Sequence, residues 1–148
     1  MDDWRRVTRA VFARHSNPWS AWTRWASTPL LLLPVWRHSW RDAALVGVWM
    51  AANPVVFSPP ADERAWATRA ILGEEQWIAE RPIDVALAVD AAATAAGLVA
   101  LVAAHRHRAR AATAATVLEM GLLMAYWELM ARYHDRHRGL TAGAAESR

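Results

Sequence analysis

Four apolar stretches, fenced by tryptophans and arginines, constrain this chain more than anything else in it. They fall near residues 22–36, 43–57, 83–104 and 111–131. A helix needs about 20 apolar residues to cross a bilayer, and the last two stretches meet that length. The first is short. Counting from Trp19 lengthens it, if the Arg24 stem lies along apolar surface and its head reaches the headgroups. Pro29 and Pro34 bend it. Asn53-Pro54 interrupts the second stretch and frees backbone groups, for which the Asn53 side chain is a candidate partner. The fold class read from this pattern is all-α: an integral membrane helical bundle of about four transmembrane helices plus an interfacial amphipathic helix.

Composition agrees once its parts are separated. Apolar residues make up 55% of the 148-residue chain, above the share of a soluble domain. Mean hydropathy is only +0.01. Alanine contributes little to that average, and arginine pulls it down. All 17 basic residues are arginine. A pI near 10.5 is compatible with nucleic acid, but arginines beside apolar segments serve anionic headgroups and topology selection, so no nucleic acid is expected. The chain has no cysteine, which excludes disulfides and thiolate metal sites. The first residues lack the apolar core of a cleaved signal peptide, so insertion is expected to rely on the internal segments.

Between the stretches the pattern changes. Residues 4–16 alternate arginine with Val7, Val11 and Phe12, as in a segment lying in the headgroup plane. Asn17-Pro18 reads as an N-cap followed by proline at the first helical position. Residues 61–80 place Trp66, Ala67, Ala70, Ile71, Trp77 and Ile78 on one stripe, an amphipathic surface helix. Glu74 falls on that apolar stripe. Residues 1–138 read as a single helical membrane domain and 139–148 as a disordered tail. With four spans, one side carries twelve arginines and the other five. The positive-inside rule then places the protein in the cell membrane with both termini cytoplasmic.

The third stretch is the weakest. Its Leu, Ile and Val residues gain about 3–4 kcal/mol on insertion, while one aspartate near the helix centre costs about 2.5–3.5 kcal/mol. Asp90 therefore nearly cancels the gain. A soluble four-helix bundle is the alternative.

An acid in hydrocarbon needs a partner. Asp90 shares a face with Ala93, Thr94 and Gly97, and Glu119 shares one with Ala112, Ala115, Thr116 and Tyr126. Both faces carry small residues that permit close approach. The third and fourth spans are expected to pack antiparallel there, about a turn centred between His107 and Arg108. In that register Asp90 lies level with Ala125 and Tyr126, and the Tyr126 hydroxyl is its expected donor. Glu119 lies roughly 9 Å further along, too far for a tight pair. The two acids form either a buried proton or cation site or a hydrogen-bonded helix clamp. His105 with His107, and His134 with His137, fall on opposite sides of the membrane and read as solvated basic patches. No metal and no cofactor is expected.

A second polar set is His15, Asn17, Ser20 and Arg24, with Asn53, Arg69 and Glu74 as neighbours at the cytoplasmic interface. Such a rim suits a lipid phosphate held by Arg24 or Arg69, or the capping and tying of helices. No nucleophile–base spacing or glycine-rich phosphate loop supports a named reaction.

The ordered set His15-Ser16-Asn17-Pro18-Trp19-Ser20, Thr23-Arg24, the arginine-bearing corner at 37–41, Asn53-Pro54-Val55-Val56-Phe57, Trp66-Ala67-Thr68-Arg69, Gly73-Glu74 and Trp77 resembles domain-of-unknown-function family 6653. These are small multi-pass helical membrane proteins. The resemblance covers residues 10–80, and the last two spans by hydropathy. It implies the helical multi-pass fold and no activity. Its polar residues coincide with the rim. The first expectation is therefore a non-enzymatic module that binds lipid headgroups or a partner membrane protein, or self-associates, through that rim. The alternatives are a lipid-modifying enzyme with His15 or Glu74 as base, and a small proton or cation transport subunit using Asp90 and Glu119.

Overall fold

The computed structural model describes residues 14–146, with side chains through 139. The basic stretch at 4–16 lies mostly outside the described residues. Every regular element among those described is helical: α1 (Pro18–Ser27), a 3₁₀ turn (Thr28–Leu31), α2 (Leu32–Arg37), α3 (Trp40–Val56), α4 (Trp66–Glu80), α5 (Val85–His105) and α6 (Ala109–Glu146).

The start of α1 follows the sequence. Asn17 Oδ1 accepts from the Trp19 amide at 2.8 Å, and Pro18 needs no hydrogen bond in the first turn. The expected first span is not one helix. Pro29 cannot donate to the helical ladder, and the chain tightens into the 3₁₀ turn before α2 resumes. The Ser27 and Thr28 hydroxyls donate to the carbonyls of Thr23 and Arg24, filling valences near the break. Two of the described helices are long and apolar enough to cross a membrane, α5 and the Ala109–Gly139 part of α6. At 17 residues with Pro54 inside, α3 falls short.

α5 and α6 form a hairpin. His107 takes a left-handed conformation, and the Arg108 and His107 amides donate to the carbonyls of Ala103 and Ala104. This is the paired-bond helix ending in which glycine is usual. The turn sets the expected register: a Cβ on Gly97 would lie 2.7 Å from Glu119 Oε1. Small residues line the seam, with Ala93, Ala96, Ala100 and Ala103 buried on one side and Ala112, Ala115 and Thr116 on the other. Large apolar side chains, among them Leu98, Val102, Val117 and Leu118, face outward. α6 continues helical through Glu146, into the stretch whose composition suggests a tail.

α4 lies across the far half of α6. Trp66 reaches Trp127 and Glu128, Gly73 rests on Met130, and Glu80 accepts from the Tyr133 hydroxyl. The helix rises roughly 21 Å while its contacts advance only about 9 Å along α6, which requires a steep crossing. Ala67, Ala70, Ile71 and Trp77 of its stripe join Tyr126, Trp127 and Met130 in the main core.

Candidate functional site

Three separate constraints bring Arg24, Glu74 and Glu119 to the lining of one cleft. α1 is fixed in rotation by its far face. There Ser20 Oγ donates to Asn53 Oδ1 at 2.9 Å, and Asn53 Nδ2 donates to Thr23 Oγ1 at 2.8 Å. Asn17 Nδ2 donates to the Ser58 carbonyl at 2.8 Å, and Arg14 to that of Val55 at 3.2 Å, so α1 and its lead-in cover the end of α3. Trp25 Nε1 donates to the Met120 carbonyl at 3.2 Å and ties α1 to α6. With these faces committed, Arg24 turns toward α4 and α6. The α4 crossing brings Glu74 in from the side, and the α5–α6 hairpin supplies Glu119.

The result is a cleft of about 310 Å³, lined by His15, Arg24, Trp25, Ile71, Glu74 and Glu119 among others. Its size falls at the lower end of the roughly 300–1,000 Å³ common for small-ligand sites. Arg24 Nε makes a long contact with the Ser20 carbonyl, 3.4 Å. Tyr126 donates to Glu74 Oε1 at 3.3 Å. Burial raises the Glu74 pKa above its ordinary value, an effect the Tyr126 hydrogen bond and nearby Arg24 oppose and Asp90 reinforces. Burial, helped by Arg24, lowers His15 to about 4. His15 is therefore neutral near pH 7, with one ring nitrogen able to donate and one able to accept.

Glu119 also lines a second cavity of about 320 Å³, between the 3₁₀ turn and the α5–α6 hairpin. Thr28, Leu31 and Glu119 belong to both cavities. The second is walled largely by Leu31, Leu32, Leu98 and Leu101.

The seven rim residues thus divide. His15, Arg24 and Glu74 face the cleft, while Asn17, Ser20 and Asn53 are spent on helix ties. Arg69 forms an ion pair with Asp135 on the extension of α6, away from the cleft. Two expectations need correction. The Tyr126 hydroxyl serves Glu74 and not Asp90, because the crossing of α4 brings Glu74 within reach. His134 is no solvated patch residue. It is 4% exposed, beside Gly73 where α4 covers α6. Asp90 is half-buried and close enough to Glu74 and Tyr126 to act on their charges.

Sequence reasoning kept Glu119 apart from the rim, since helical periodicity does not say how α1 faces α6. It also missed a tryptophan cluster beside the cleft, in which Trp22 stacks on Trp66 at 5.8 Å and both lie near Trp127. At the opposite end His38 sits beside His105 and His107, ring centroids 5.0 and 5.5 Å away. Among the described residues no group of three or more His, Cys, Asp or Glu is disposed to hold a metal.

A family model matches residues 6–125, most of the chain and all of the cleft's charged residues. The chain belongs to a family of unknown function (DUF6653). The match runs beyond residue 80, across α5 and into α6. No curated protein and no solved structure matches the chain.

Proposed function

We propose that this family member is a four-span membrane protein that captures a lipid headgroup in the cleft that runs from the cytoplasmic rim at His15, Arg24 and Glu74 to Glu119, about midway along the fourth span. The observation that carries the reading is Arg24. Among the described residues it forms no ion pair within 4 Å, and its one hydrogen bond, to the Ser20 carbonyl, is long. A guanidinium with unused donors on a cleft between apolar helices suits a phosphate.

One structural feature supports the membrane setting, and the threading is built on it. Large apolar side chains face outward on α5 and α6 while alanines pack inward, the reverse of a bundle in water. The 18–37 segment, broken at the 3₁₀ turn, together with α3, supplies two further crossings against the hairpin. α4 then lies along the cytoplasmic surface, and the arginine count places both termini on that side.

Two measurements test the reading. Purified wild type should retain phospholipid that Arg24→Ala loses while unfolding at a similar temperature; equal retention overturns it. The chain lacks cysteine, so single cysteines report sidedness cleanly. Arg64→Cys should react with an impermeant maleimide only from the cytoplasm, and Arg108→Cys only from outside. Reaction of both from one side overturns the threading.

The enzyme reading draws on one observation, that His15, neutral near pH 7, shares the cleft with Glu74. It requires His15→Ala to leave a folded protein and an altered cellular lipid profile; profiles identical in wild type and a deletion strain remove it.

A further inference from the structure

The headgroup can be specified further, on the basis of that reading, from the charges that line the cleft and from what adjoins it. The lining carries one guanidinium, Arg24, and two carboxyls, Glu74 and Glu119. Asp90 is near enough to Glu74 to act on its charge. A purely anionic headgroup bound at Arg24 would face two carboxyls. A purely cationic one would face Arg24. A headgroup bearing both charges meets both.

The two carboxyls are not equivalent. Glu74 already accepts from Tyr126 and lies in the field of Arg24. Glu119 forms no hydrogen bond or ion pair among the described residues. It is half-buried among apolar helices, where an unpaired acid is costly. None of the described residues answers it, and it lines the cleft. It also stands where the cleft joins the leucine-walled groove. Polar and apolar cavities that share residues fit a molecule with a charged head and a hydrocarbon chain.

We propose that the occupant is a zwitterionic aminophospholipid, with its phosphate on Arg24, its primary ammonium on Glu119 and one acyl chain in the groove between the 3₁₀ turn and α5. A primary ammonium donates three hydrogen bonds, whereas a trimethylammonium donates none and a glycerol headgroup carries no cation. The site should therefore separate these three lipids.

Native mass spectrometry of the detergent-solubilised full chain provides the test, with dioctanoyl phosphatidylethanolamine, phosphatidylcholine and phosphatidylglycerol as probes. Wild type should retain the ethanolamine lipid about tenfold or more over either other, as expected of a charged hydrogen bond. Glu119→Gln keeps the shape of the side chain and should erase that preference without lowering phosphatidylglycerol binding. Equal retention of all three by wild type, a preference for phosphatidylglycerol or phosphatidylcholine, or an ethanolamine preference that survives in Glu119→Gln overturns the zwitterion assignment. Each of these leaves headgroup capture standing if Arg24→Ala still loses lipid. Retention of no lipid by wild type, or of as much by Arg24→Ala, overturns both.

Discussion

Gly73 of α4 lies so close to Met130 of α6 that a Cβ built on it would stand 1.9 Å from the Met130 carbonyl oxygen and 2.7 Å from its carbon. No side chain other than hydrogen fits there, because what it would strike is backbone. The crossing of α4 over α6, and with it the placement of Glu74, depends on this contact. Gly73→Ala should lower stability by about 3 kcal/mol, the upper end for overpacking, read as a drop in thermal midpoint in detergent. Gly97→Ala makes a control, since the nearest atoms its Cβ would meet are the carboxyl end of the Glu119 side chain, and not backbone. It should cost less than about 1 kcal/mol. Equal midpoints for the two variants would show that the crossing does not depend on this close contact.

Asn53 is fully buried and holds α1 to α3 through Ser20 and Thr23. Removing its amide leaves the buried Ser20 hydroxyl without its acceptor, while Thr23 Oγ1 keeps its bond to the Trp19 carbonyl. Asn53→Ala should therefore cost about 2 kcal/mol, the scale of unsatisfied buried polar groups. Because the same tie sets the rotation of Arg24 into the cleft, lipid retention should fall with it. Thermal unfolding and lipid counting on one preparation check both. A stable Asn53→Ala with full retention would mean that Trp25 and its bond to Met120 orient α1 alone.

Local signals in the sequence were sufficient for local features. Asn17-Pro18 marks the start of α1, and a turn centred between His107 and Arg108 gives the α5–α6 register that Gly97 and Glu119 display. What was illegible came from geometry between helices. The prolines signalled a bend in the first span, but not that α1 would end and a 3₁₀ turn take over. Hydropathy does not tell that α4 crosses α6 steeply, and that crossing is what gives the Tyr126 hydroxyl to Glu74 and covers His134. Arg69 looked like a phosphate ligand because its partner, Asp135, sits 66 residues away on an extension of α6 past the apolar part. Glu74 was the informative exception. It is an acid on an apolar stripe, and the structure places it in the lining of the cleft.

His15 and Glu74 line the same cleft and pull stability in opposite directions as pH changes. Glu74 has a folded-state pKa above its ordinary 4.5, so the folded protein binds that proton more tightly than the unfolded chain does. Its contribution is present below 4.5 and is lost as pH rises through the folded value. His15 is depressed from 6.5 to about 4, so the folded protein binds that proton less tightly. Its contribution is complete above 6.5 and is lost as pH falls toward 4. Between 4.5 and the raised folded-state value of Glu74 the two slopes oppose, and wild type should show a flatter profile there than either variant. Subtracting wild type from each variant removes the other titrating groups. The Glu74→Gln difference should climb with pH, because the falling contribution is gone. The His15→Gln difference should descend over the same range. Denaturant unfolding in detergent at several pH values between about 4 and 8 gives both curves. Differences that are level across the range would mean that neither group changes its proton affinity on folding, and that the cleft is open to water in the folded protein.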